Sequence, residues 1–436
     1  MTHTRTTLLT LCMLLSAVLQ AAQNQPIEND YPHLEKLYQH LHQNPELSFH
    51  EKNTAARLSQ ELSAAGFRVT EGVGGHGVVG VMENGAGPTV LIRADMDGLP
   101  IEEKTGLPYA SRTQVVDDLG KTVHTMHACG HDIHMTVFAG VARRLAATRK
   151  QWQGTLVMIG QPAEERGAGA RAMIKDGLFT RFPRPDYALG LHVKAAFPAG
   201  KIGYVEGFAM ANVDSVDIRV HGVGGHGAYP HTTRDPVVLS AAIINSLQTL
   251  VSREISPLES AVVTVGSIHG GTKHNIIPDF VDLQLTVRSY SDSTREALLA
   301  GIRRIAMTQA KVSGLPDDRL PEIKIRDEYT PALYNNPQLT KRLAGVLETQ
   351  LGDERVVQVS PVMGGEDFSQ YGRVEPRIPS FFFWLGAVDP AIVSSAKQQG
   401  RILPSLHSAE FAPLPRPTIL TGVEAMTAAA LDLFQD

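Results

Sequence analysis

Residues 126–134 read MHACGHDIH, which sets a thiol, Cys129, one glycine away from an imidazole, His131. At about 100° per residue a helix would point these two side chains to different sides. A loop kinked at Gly130 lets both converge on one ion, with the helical pattern starting only afterwards, over Met135 to Thr148. Thiolate and imidazole suit zinc and related transition metals, and Asp132 or His134 could orient a ligand through a hydrogen bond. The competing reading of Cys129 is a small buried residue.

Further donors follow apolar strands. GQPAEE sets Glu164 and Glu165 just past a strand ending at Gly160, and GLHV sets His192 at the end of a strand that begins near Tyr187. In open α/β sheets, sites form in the crevice beyond the carboxyl ends of the strands. Adjacent carboxylates on a loop diverge, so one can bind metal while the other faces a substrate; a solvated acidic pair is the plainer alternative. RADMDGLP adds Asp95 and Asp97 directly after Val90, Leu91 and Ile92, a placement that solubility alone does not explain. In GVGGHGAYPH, glycines surround His226, and their missing side chains let the imidazole approach a ligand or a partner chain closely. A turn histidine near a sheet end is the alternative there.

The elements that must hold these residues read as an α/β unit interrupted by a second unit. Leu34, Leu37, Tyr38 and Leu41 follow helical spacing up to Pro45, and Ala55, Leu58, Leu62 and Ala65 repeat it up to Gly66. Short apolar strands at Val78 to Met82, Thr89 to Ile92, Thr155 to Ile159 and Tyr187 to Leu191 alternate with helical stretches, the pattern of a sheet covered by helices. In the middle, strands around 216–220, 261–268, 281–287 and 322–329 enclose two helices in the order β-α-β-β-α-β, that of a ferredoxin-like unit. α/β character then resumes, with a helix near 338–351 and a strand at Phe381 to Leu385. That aromatic run reads as a buried strand in preference to an aromatic pocket. The expectation is a discontinuous α/β domain over 23–208 and 325–436, with 209–324 inserted.

Composition bounds the rest. A chain of 436 residues exceeds one core of about 100–200 residues. With 43% hydrophobic and 19% charged residues it is an ordinary folded protein. The net charge of −5 leaves no basic surplus for a phosphate backbone, so nucleic acid is not an expected partner. Residues 1–22 read as a secretory signal: Arg5, an apolar run from Leu8 to Leu19, then small Ala21 and Ala22. The mature protein is then expected to be periplasmic or extracellular, without a membrane span. Two cysteines exclude a disulfide framework, and cleavage removes Cys12, leaving Cys129 as the one mature thiol.

Taken together, HQNPELSFHE at 42–51, RADMDGLP, MHACGHDIH, GQPAEE, GLHV, GGHGAYPH, HNIIPD, MGGEDFSQY at 363–371 and LHSAEF at 406–411 resemble, in order, the M20 family of metallopeptidases. The resemblance is to the amidohydrolase branch that includes hippurate hydrolases and the plant auxin-conjugate hydrolases. It implies a two-domain α/β architecture, a catalytic domain with a dinuclear metal site plus an inserted ferredoxin-like lid and dimerisation domain. It makes Cys129, His131, Glu165, His192 and His407 the metal ligands, with Cys129 bridging, and Glu164 the general base. His226 matches a lid histidine that stabilises an oxyanion, Asn275 and Arg288 match residues that contact substrate, and Asp97 orients a ligand or the backbone near the metals. Two divalent ions per subunit are implied, zinc first, with manganese, cobalt or nickel as alternatives, together with a homodimer formed through the inserted domain.

The expected function is therefore metal-dependent cleavage of the amide bond of N-acyl or N-aroyl amino acids to a carboxylic acid and a free amino acid. A dipeptidase or metallocarboxypeptidase with the same dinuclear site is the nearest alternative. A non-catalytic, metal-dependent binding protein for acylated amino acids is the alternative from another class, and an unliganded Glu164 argues against it.

Overall fold

The computed structural model describes residues 27–436 apart from residue 328, so the secretory signal expected over 1–22 lies outside the described residues. Helix α1 (27–43) buries Leu34, Leu37, Tyr38 and Leu41 along one stripe. α2 (Lys52–Ala64) does the same with Ala55, Leu58 and Leu62. Strands β1 (Arg68–Val73), β2 (Gly77–Asn84) and β3 (Thr89–Asp95) lead to α3 (His131–Ala147), then β4 (Gly154–Gln161), β5 (Tyr187–Pro198) and β6 (Ile202–Tyr204). A second unit follows: β7 (Asn212–His221), α4 (Pro236–Thr249), β8 (Ala261–Gly270), β9 (Phe280–Ser289), α5 (Asp292–Val312) and β10 (Glu322–Ile325). The chain then completes the first unit with α6 (Pro337–Leu351), β11 (Val356–Gln358), β12 (Ser380–Val388) and α7 (Pro415–Leu433). Among the described residues no helix is long and apolar enough to cross a membrane.

In the first unit, an eight-stranded sheet runs β1-β2-β4-β3-β5-β12-β6-β11. Its centre, β4, β3, β5 and β12, is parallel, so these strands deliver their carboxyl ends to the same edge. Leu189, Leu191 and Val193 of β5, Phe381, Phe383 and Leu385 of β12, and Ile419, Val423 and Met426 of α7 share one buried core. The aromatic run at 381–384 is thus a buried strand. α3 and α7 approach closely at Gly140, where a Cβ would come within 2.5 Å of Val423 Cγ2.

The second unit is a four-stranded antiparallel sheet in the order β8-β9-β7-β10. Val216, Ile218 and Val220 of β7 and Leu283, Leu285 and Val287 of β9 meet Leu239, Ile243 and Leu247 of α4 and Leu298, Ile302 and Ile305 of α5. Asp235 caps α4 by accepting from the Val237 amide at 2.9 Å, and Ser291 caps α5 by accepting from Thr294 at 3.1 Å.

The division between the units differs from the limits expected at 208 and 324. The second unit takes Phe208–Leu333 and also Pro361–Ser369. Residues up to 333 stay with it because the Val213 amide donates to Thr330 O at 2.8 Å. The 361–369 segment joins it because the Ala211 amide donates to Gly364 O at 2.9 Å and the Val362 amide to Ala209 O at 3.0 Å. These backbone pairs link distant segments and leave no periodic trace in the sequence.

Candidate metal centre

Cys129 and His131 converge through the expected kink, with one correction. Gly130 adopts φ +79°, but it is the N-cap of α3, and His131 is already the first helical residue. The helix therefore starts four residues before Met135. His131, Asp132, Ile133 and His134 are all buried, so no polar face announces the first turn. A Cβ at Gly130 would meet Val193 Cγ2 at 2.5 Å, which ties the kink closely to β5.

Around this turn the donor atoms gather. Cys129 Sγ lies 3.3 Å from His192 Nε2 and 3.2 Å from His407 Nε2. Glu165 Oε2 lies 3.3 Å from His407 Nε2, and its Oε1 lies 3.9 Å from His131 Nε2. Glu164 Oε2 is also 3.9 Å from His131 Nε2. The adjacent carboxylates, expected to diverge, both reach the same imidazole. Two donor groups, Cys129–His131–His192 and Cys129–Glu165–His407, share the thiol.

Several features fit a cation among these atoms. His131 Nδ1 sits 2.8 Å from the Asp97 carbonyl oxygen and so carries the donating proton, which leaves a lone pair on Nε2. That Nε2 and Glu165 Oε1 are buried with no hydrogen-bond partner among the described residues, a costly state unless an ion occupies the space. Burial keeps the His192 imidazole well below its usual range and hence neutral. Burial, together with the carboxylates of Glu165 and Glu164, pushes the Cys129 thiol well above its usual range, so a thiolate there needs a positive ion. At His131 burial opposes the charge, but Asp95, Asp97 and Glu165 outweigh it and raise the imidazole to about 10.

The supporting residues explain why the donors hold still. Asp97 Oδ1 accepts from the Glu164 amide at 3.1 Å, and Oδ2 accepts from the Glu165 amide at 3.0 Å and from Ser48 Oγ at 2.6 Å. One side chain therefore anchors the Glu164–Glu165 loop while its own carbonyl fixes the His131 tautomer. Glu51, fully buried, accepts from the Ala163 amide at 2.7 Å, and Ala163 holds φ +51°. Asp95 is clamped between Arg93 Nη1 at 2.5 Å and His134 Nδ1 at 2.6 Å. His134 Nε2 in turn accepts from the Val193 amide at 2.9 Å, so both ring nitrogens serve the fold and fix the strand that carries His192. Asp132 pairs with His42 Nδ1 at 2.6 Å. The sequence points to Asp97 by its place after a buried strand but not individually to Ser48, Glu51 or Arg93. Glu51 closes the HQNPELSFHE motif, which was the signal available.

The remaining expected residues lie in the second unit. His226 sits on a short ribbon, Gly225–His226 paired with Ile276–Ile277, next to Asn275, whose carbonyl accepts from Gly227 at 2.9 Å. His226 Nδ1 accepts from the Ala228 amide at 3.0 Å, so its Nε2 carries the proton. Arg288 is half-buried and donates to Met363 O and Thr286 Oγ1, each at 3.0 Å, so it braces the MGGEDF segment as well as offering charge.

Residues 91–399 match the model of peptidase family M20/M25/M40. The chain belongs to this family. It is 38% identical to the hippurate hydrolase of Campylobacter jejuni over 77% of this chain and 83% of that protein. It is 34% identical to thermostable carboxypeptidase 2 of Saccharolobus solfataricus over 89% of this chain and 93% of that protein. The solved structure of the YXEP protein of Bacillus subtilis, described as a dinuclear metal binding peptidase from the M20 family, is 29% identical with a TM-score of 0.76, covering 94% of this chain and 99% of that one. The M20 protein described here is an enzyme of the amidohydrolase branch, a metal-binding hydrolase with a mixed α/β fold.

Proposed function

We propose that this M20 hydrolase cleaves the amide bond of N-acyl or N-aroyl amino acids, releasing a carboxylic acid and a free amino acid. The observation that carries the reading is the pair of donor groups sharing Cys129, with the second carboxylate of the Glu164–Glu165 pair beside them. Cys129, His131, Glu165, His192 and His407 would hold two divalent ions, Cys129 belonging to both donor groups. Zinc suits a thiolate, imidazole and carboxylate set, with manganese, cobalt or nickel as other occupants; the ions would polarise the scissile carbonyl and acidify water.

The chain's own residues do the rest. Glu164 takes a proton from the attacking water and hands it to the leaving amine. His226, protonated on Nε2, donates to the developing oxyanion. Asn275 and Arg288 contact substrate, with the guanidinium suited to a carboxylate. Asp97 keeps Glu164 and Glu165 in place. The second unit acts as lid and dimerisation domain, so a homodimer is expected by mass in solution. Export by the segment at 1–22 would place the enzyme in the periplasm or outside the cell, which fractionation of the native protein checks.

Glu164→Gln should retain two metal equivalents and lose at least about a hundredfold in kcat. Ordinary turnover in that metal-replete variant would sink the mechanism. A carboxypeptidase reading is favoured by the Saccharolobus relative, whose length the match nearly spans. Benzoyl-glycine assayed against a dipeptide panel separates the two, since preference for dipeptides would replace the acylamino acid assignment.

A further inference from the structure

Strand β5 carries a second side chain on the face that presents His192. Leu189, Leu191 and Val193 point into the main core, so by the two-residue alternation of a strand His192 and Lys194 project from the opposite face. β12 lies beside β5 in parallel register, with Trp384 opposite His192. The Trp384 ring lies 5.9 Å from the His192 ring, and the Lys194 ammonium sits 5.1 Å over the same Trp384 ring. One indole therefore forms a continuous surface from a donor of the metal centre to a cation.

That cation is half-buried and is given no carboxylate partner among the described residues. Partial burial disfavours an ammonium, and a cation–π contact offsets only part of the loss. Such a cation can pair with an anion that arrives from solution. The reaction proposed above supplies one, because its substrates and products are carboxylates.

Resting on that reading of the site, we propose that Lys194 is a specificity-determining residue that pairs with a substrate carboxylate while Trp384 packs against the adjoining apolar atoms. The carboxylate can stand on the amino-acid arm or on the acyl arm, and two matched pairs of ligands distinguish them. N-acetyl-leucine against N-acetyl-leucinamide tests the first. N-succinyl-leucine against N-butyryl-leucine tests the second.

Binding is measured by calorimetry on the metal-loaded Glu164→Gln protein, in which the bound amide survives, with Lys194 intact or changed to Met or Arg. Lys194→Met should lower the preference for the charged member of one pair by about fivefold or more, and the affected pair identifies the arm. Lys194→Arg should restore most of that preference. Unchanged preference in both pairs would overturn the proposal, as would an equal loss of affinity for all four ligands in the Met and Arg variants, which would mark a structural role. The proposed reaction fails separately, if the protein with Glu164 intact cleaves none of the four compounds, and the binding ratios still decide the part played by Lys194.

Discussion

Glu51 shows how much the cluster of donor atoms depends on groups outside it. Its carboxyl is fully buried, one oxygen holding the Ala163 amide and the other without a partner among the described residues. Burial, reinforced by the neighbouring Asp97 charge, raises it to about 8. Between the ordinary carboxylate range and about 8 the folded protein therefore holds a proton that the unfolded chain has released. The unfolded state binds fewer protons there, so the Glu51 contribution is complete at low pH and fades as pH rises through about 8, with a slope of up to about 1.4 kcal/mol per pH unit. Glu51→Gln keeps the shape and an oxygen acceptor for Ala163 but removes the titration. Urea unfolding at pH 6 and pH 8 should show a smaller fall in stability for the variant than for the native protein; equal falls would refute the assignment. The same residue marks a limit of sequence reading. The glycine beside Cys129 and His131, and the strand ends before Glu164–Glu165 and His192, mark these donor types as candidates. Glu51 acts on a residue 112 positions away, and Asp97 on amides 67 and 68 positions away, so their motifs mark them without showing which residues they hold.

At the scale of elements, periodic segments were legible and the joints between them were not. The stripes of α1 and α2 and the alternation of β7 and β9 follow directly from burial on one face. The start of α3 has no periodic signal because its first turn buries polar and apolar side chains alike, with Asp95 on His134, Asp97 on His131 and His42 on Asp132. That turn depends on Gly130 in two ways, its positive φ and the 2.5 Å clearance to Val193. Alanine there would incur a left-handed penalty of about 1–2 kcal/mol and push on the strand that carries His192. Gly130→Ala should therefore lose metal content in proportion to activity while the second unit stays folded. Full metal occupancy by elemental analysis, with unchanged activity, would show that the kink does not set the geometry of the donors.

At the scale of the whole molecule, the proposed metal ligands span the chain from Cys129 to His407, and the second unit lies between them in sequence. Every one of them belongs to the first unit. An ion held by Cys129, Glu165 and His407 would therefore close a long loop, joining the part of the first unit that precedes the second unit to the part that follows it. Ligation of the folded state adds stability by mass action, about 4 kcal/mol when free metal exceeds its dissociation constant a thousandfold. The second unit has its own core, built from β7, β9, α4 and α5, and contributes no ligand to this set. Scanning calorimetry with and without a chelator should thus resolve the difference: the transition of the first unit should fall by roughly 5–15 °C, while that of the second unit stays in place. His407→Ala should reproduce part of the shift in the presence of metal, because it removes the ligand that reaches back from beyond the second unit. A chelator that lowers both transitions equally, or neither, would contradict a metal centre confined to the first unit.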